Sequence, residues 1–144
     1  MEDQTAHLEK SGAKFLPPAS RRDIELANSA LQQIRASVLP SALAEFYLNY
    51  GGALLGDSCV FPIEETERPH RRYTMPNLVG INRSLAGLAG LRGKSVWGQN
   101  MFYWFSADIG GNLYMHDVLT LQILKSYADA GAAISDCLLV GKMQ

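Results

Sequence analysis

The chain is 144 residues long, with 47% hydrophobic and 19% charged residues. That composition excludes general disorder and suits one domain whose core needs no disulfide or metal. A formal net charge of −1 is too small to hold a nucleic-acid backbone non-specifically, so no nucleic-acid partner is expected.

Residues 1–20 are polar, with little periodicity, and end in Leu16-Pro17-Pro18. Adjacent prolines oppose both helix and ladder pairing, which predicts a flexible or loosely docked N-terminal arm. From there Ile24, Ala27, Leu31, Ile34 and Val38 recur at spacings of three and four, one apolar stripe on a helix of about four turns. Ser20 with Asp23 resembles a capping box at its start. Pro40 stops this helix and opens a second over 41–50, with Leu43, Phe46, Tyr47 and Tyr50 as its buried face. Gly51-Gly52 then suits a left-handed C-terminal cap.

Cys59–Ile63 reads as a short strand, with Pro62 at an edge or end. The charged segment 64–76, holding Pro69 and Pro76, reads as a loop. Leu78, Ile81, Leu85 and Leu88 predict a third helix over 78–91, weakened by Gly87 and Gly90, and residues up to 98 a glycine-rich link. Met101–Phe105 is the most β-rich run, and Trp104 within it is expected to be buried. Asp108–Asn112 is a turn, Leu113–Val118 its hairpin partner, and 121–125 a third strand. Residues 127–140 form a last amphipathic helix. The expected fold is α+β: a single domain over 21–144, an antiparallel meander with helices at both ends packed on it.

The chemistry-bearing motifs are sparse. Gly87–Ser95 ends in Gly-Lys-Ser like a phosphate-binding loop, but Leu88 stands where the first glycine belongs, and a helix rather than a strand precedes it. No nucleotide is therefore expected at micromolar affinity. His116 and Asp117 are neighbours on a strand and point to opposite faces, so they cannot pair with each other. No Gly-x-Ser-x-Gly elbow is present. His7, His70 and His116 lie far apart, and Cys59 and Cys137 read as small buried residues. No catalytic residue, metal or cofactor is expected. No apolar run approaches the roughly 20 residues that cross a bilayer. The acidic Met1–Gln4 lacks the basic and apolar regions of a secretory signal. Two cysteines make no disulfide framework. A cytoplasmic protein, with no membrane partner, is expected.

Leu39-Pro40-Ser41-Ala42-Leu43-Ala44-Glu45-Phe46 leading into Gly51-Gly52 resembles the signature of the SUKH superfamily, which includes many bacterial immunity proteins and the yeast cell-wall synthesis regulators. Val60–Glu65 and the run Phe102–Tyr114, with its aromatic strand and Gly-Gly hairpin, resemble further parts of that pattern in order. The similarity covers about residues 20–140. The basic character of 64–76 and the glycine-rich 87–98 depart from it and leave the subfamily open.

The resemblance implies a non-enzymatic protein-binding domain, an immunity protein that occludes a cognate toxin, often a nuclease. Such a toxin has a basic cleft, which acids would face. Glu64, Glu65 and Glu67, with Asp57 before them and Asp108 in the hairpin turn, are the candidate binding residues. An endogenous protein partner would suit the same scaffold. The alternative from another class is a ligand-binding protein or enzyme using the sheet face near Tyr103 and His116.

Overall fold

A computed structural model describes residues 2–63, 66–67, 74–75 and 77–139. Helix α2 (Arg21–Gln33) starts as the capping pattern predicts: the Ser20 hydroxyl accepts from the Asp23 amide at 3.0 Å. Ile24, Ala27 and Leu31 turn inward. The helix stops short of Val38, because Arg35 takes φ 62° and the Ala36 amide returns to the Leu31 carbonyl at 2.9 Å. Helix α3 (Ser41–Asn49) follows Pro40 and buries Leu43, Phe46 and Tyr47. The Tyr47 hydroxyl donates to the Phe61 carbonyl at 2.5 Å, tying α3 to the chain that follows the next hairpin.

Residues 2–20 are docked on the domain and are not a flexible arm. Helix α1 (Glu2–Lys10) packs against the C-terminal helix and buries Leu8, and strand β1 (Lys14–Phe15) pairs with β2 (Ala53–Leu55). Pro17 and Pro18 lack amide donors but keep carbonyls. Leu16 and Pro17 accept from the Gly51 amide at 3.1 and 2.9 Å. The prolines end an edge strand instead of detaching the segment. Gly51 also differs from expectation. It is not left-handed; it is pressed against the chain, and a Cβ there would lie 2.3 Å from the Pro17 carbonyl oxygen.

Seven strands form one antiparallel sheet in the order β1-β2-β3-β6-β7-β8-β9, completed by β3 (Ser58–Val60), β6 (Lys94–Gln99), β7 (Tyr103–Asp108), β8 (Leu113–Asp117) and β9 (Ile123–Tyr127). This is the predicted α+β class, with helices from both ends of the chain. Segment 64–76 is more than a loop: β4 (Thr66–Glu67) and β5 (Thr74–Met75) pair in it. Helix α4 (Leu78–Leu85) is capped by Asn77, which accepts from the Gly80 amide at 2.6 Å. It ends six residues before Leu91, and a 3-10 turn follows at Ala89–Leu91.

The central strand β6 occupies what reads in the sequence as a link. Its side chains from Ser95 to Trp97 are buried, so it shows no alternation, and its glycine sits at a bulge between Val96 and Gly98. Trp97, fully buried and 5.6 Å ring to ring from Phe105, holds the place expected of Trp104. Trp104 is only partly buried. Helix α5 (Ala130–Leu139) lays Ala133, Ile134, Cys137 and Leu138 on the sheet. Gly98 lets it approach, since a Cβ there would lie 2.7 Å from the Cys137 sulfur. Both cysteines are free and buried.

Candidate functional site

Strand directions decide which turns share an end of the sheet. β2 runs into the Gly56-Asp57 turn, and β3 returns with Cys59 opposite Gln99, the last residue of β6. The β6–β7 turn therefore lies at the same end as Asp57. β7 and β8 are antiparallel, with Tyr103 opposite Asp117, so the turn after Asp117 joins them there. The Val118 amide donates to the Phe102 carbonyl at 3.1 Å and locks the last two turns side by side.

The β6–β7 turn has unusual chemistry. Asn100 folds it: its side-chain oxygen accepts from the Phe102 and Tyr103 amides at 2.9 and 3.0 Å, and its Nδ2 donates to the Cys137 carbonyl. The two residues carried at the tip are Met101 and Phe102, 68% and 49% exposed, where glycine, asparagine or serine would be the ordinary choice. Leu119 in the neighbouring turn is 89% exposed. Asp117 shapes that turn by accepting from the Leu119 and Thr120 amides at 2.8 and 2.9 Å, bonds that hold its carboxyl below the usual range.

The surface continues down the edge strand. β9 exposes Ile123 and Leu124, with Leu124 at a register shift. The β9 edge has no strand beyond it among the described residues. Lys125, bonded to Asp136 at 2.9 Å, is the one charge on β9, the usual protection of such an edge. Single exposed apolar residues are ordinary; a contiguous set at adjoining turns and an open edge is not.

The acidic residues expected to bind do not form one face. Glu64 and Glu65 lie outside the described residues; Glu67 lies in β4, its side chain outside them. Asp57 is exposed beside the apolar turns. Asp108 sits at the opposite end of the sheet, opposite Lys94, and its carboxylate is engaged internally. It accepts from the Gly110 and Asn112 amides, both at 3.0 Å, and from the Tyr114 hydroxyl at 2.7 Å. Partial burial opposes its ionisation, but the bonds from Tyr114, Asn112 and Gly110 outweigh that and hold the carboxyl below its ordinary range. Asp129 accepts from the Ala132 amide, and Asp136 from Lys125 and Tyr127. The acids from Asp108 onward thus shape turns, a helix start and a helix–strand contact.

The alternative site near Tyr103 and His116 is divided by the sheet. Pairing puts His116 with Trp104 on one face and Tyr103 with Asp117 on the other. His116 is fully buried. Its Nε2 is 2.7 Å from the Ser106 hydroxyl, and its Nδ1 is 2.9 Å from the Leu121 carbonyl. A carbonyl can only accept, so Nδ1 carries the proton and Nε2 accepts from Ser106. Burial pushes the imidazole below its ordinary range. Ser106 is likewise sealed, so this is a satisfied core pair without access to a substrate. Cys137 is equally enclosed, its thiol pushed up by burial and donating to the Cys59 carbonyl at 3.3 Å.

No grouping of histidine, cysteine or acidic side chains able to hold a metal occurs among the described residues, and no described helix is long and apolar enough to cross a membrane. No family model matches the chain, and no curated protein matches its sequence. Sequence reading missed Asn100 and the Met101-Phe102 tip. The available signal was an asparagine between two strands with apolar residues at the turn positions.

Proposed function

We propose that this chain is a non-enzymatic, SUKH-type protein-binding domain of the cytoplasm, an immunity protein that neutralises a cognate toxin by covering it. The observation that carries the reading is the pair of apolar turns, Met101-Phe102 and Val118-Leu119, fixed side by side at one end of the sheet. Asn100 and Asp117 spend their side chains on shaping these turns, and the shaped turns present large apolar groups to solvent. Rigid presentation of a few large side chains is how a small domain concentrates binding energy. Asp57 flanks the same end and supplies the negative charge that a basic cleft would favour. Asp117 is spent on its turn amides and Lys125 on Asp136, so apolar burial dominates affinity and Asp57 acts on encounter.

The experiment is a protection assay in the organism of origin's own gene context. A candidate toxin domain found in a reading frame adjoining this chain's is expressed alone and with it. Co-expression should restore growth, and Phe102→Asp with Leu119→Asp should abolish the rescue while the protein stays folded. Rescue undiminished by that double variant would remove the turn surface from the interface.

A further inference from the structure

A cleft of about 400 Å³ opens at the other end of the sheet, between the end of α2, the end of α4 and the segment leading into β6. It has the size of a small-ligand pocket. Its charged lining is Arg35, Arg92 and Lys94, with no acidic residue, and its apolar lining includes Leu85, Leu88 and Leu91. Three cations thus line one cleft on a chain of net charge −1, with no acidic residue in the lining. Among the described residues neither guanidinium has a carboxylate partner. Lys94 rests its ammonium 5.7 Å from the centre of the Tyr114 ring. The nearest acid by register, Asp108, is committed to Gly110, Asn112 and Tyr114.

Backbone conformation adds a second, independent observation. Arg35 stands at φ 62°, the left-handed position after a helix where glycine is the usual occupant and a long side chain is disfavoured. Packing does not explain the arginine, since its side chain is exposed. A disfavoured residue held at the mouth of a cationic cleft is strain that accompanies a binding role.

The geometry points to a binding site for a small organic phosphate in the cleft of Arg35, Arg92 and Lys94. The guanidiniums would take phosphate oxygens in paired hydrogen bonds and Lys94 would add a point charge. The leucines would receive the less polar body of the ligand. This is a side-chain site, distinct from the main-chain amide cradle whose spacing Gly87–Ser95 lacks. It lies at the opposite end of the sheet from the turn surface and does not depend on the protein-binding reading.

The test is calorimetric titration of the full chain with ADP and with inorganic pyrophosphate at low ionic strength. Both should bind with Kd on the order of 100 µM, ADP more tightly because its purine face can pack on the leucines. Arg92→Gln and Arg35→Gly should each weaken binding at least about tenfold, and Lys125→Gln, outside the cleft, should leave it unchanged. Arg35→Gly should also melt at the same temperature as the natural chain or higher, because glycine suits a left-handed residue. No heat with either probe, or affinity unchanged in both arginine variants, would overturn the proposal. A clear fall in melting temperature for Arg35→Gly would mean the arginine is kept for stability and would also overturn it.

Discussion

Gly51 tests whether the aromatic helix is closed by a left-handed cap or by a close approach of the chain. A Cβ at position 51 would sit 2.3 Å from the Pro17 carbonyl oxygen, a backbone atom that cannot rotate away. Restoring even the closest tolerable contact requires a movement of about 0.7 Å, and a core opened by such shifts loses about 1–3 kcal/mol. The movement acts on a joint in which Gly51 donates to Leu16 and Pro17, Leu16 donates to Gly52, and Ala19 donates to Tyr47. Weakening one of these enclosed bonds costs a further ~1 kcal/mol. Gly51→Ala should therefore lose about 2–4 kcal/mol, which lowers the melting temperature of a domain this size by roughly 10 °C. Thermal unfolding followed by circular dichroism measures it. Gly51→Asn separates the two explanations, because asparagine tolerates the left-handed region but has the same Cβ. An asparagine variant as stable as the natural chain, or an alanine variant within about 2 °C of it, would refute the close-approach account.

The remaining predictions concern the core and its buried polar groups. Trp97→Ala should cost about 3–5 kcal/mol and Trp104→Ala clearly less, since Trp97 is fully buried and Trp104 only partly; paired urea titrations compare them. His116 is held neutral in the fold, so above the unfolded imidazole value of about 6.5 it does not alter stability. As pH falls below that value the unfolded chain takes up a proton the folded one refuses, and stability drops until the folded value is reached. Urea midpoints between pH 7.5 and 5 should decline for the natural chain and flatten for His116→Gln. Ser106→Ala leaves the His116 Nε2 without its donor in a sealed site and should destabilise by about 1–3 kcal/mol. Both cysteines should resist a thiol reagent in the native state and react together on unfolding, because burial hides both and also pushes the Cys137 thiol up.

The helices α2 and α3 were legible because each buries one face and exposes the other, and the β7–β8 hairpin because an aromatic run leads into Gly110-Gly111, although β7 buries three successive side chains. Strand β6 was not. It lies between β3 and β7 and is buried on both faces, so Ser95-Val96-Trp97-Gly98 carries no alternation and resembles a linker. The N-terminal segment misled for a different reason. Two prolines forbid donors at 17 and 18, but the sheet edge there needed only acceptors. The site was the least legible part. Acids such as Asp108 and Asp117 suggest a charged face when read in line, whereas in the fold their oxygens are consumed by turn amides. The apolar turn residues beside Asn100 gain meaning only once strand directions bring three turns to one end.

The central claim is that the Met101-Phe102 and Val118-Leu119 turns are the partner-binding surface. It is tested most directly by the affinity of the purified chain for a candidate toxin domain found in an adjoining reading frame, measured by surface plasmon resonance. The natural chain should bind with nanomolar Kd, and Phe102→Asp with Leu119→Asp should weaken binding at least about 30-fold, the loss of two anchors worth ~1–2 kcal/mol each, with an unchanged melting temperature. Equal affinity for the natural chain and the double variant, or no binding by the natural chain, would contradict it.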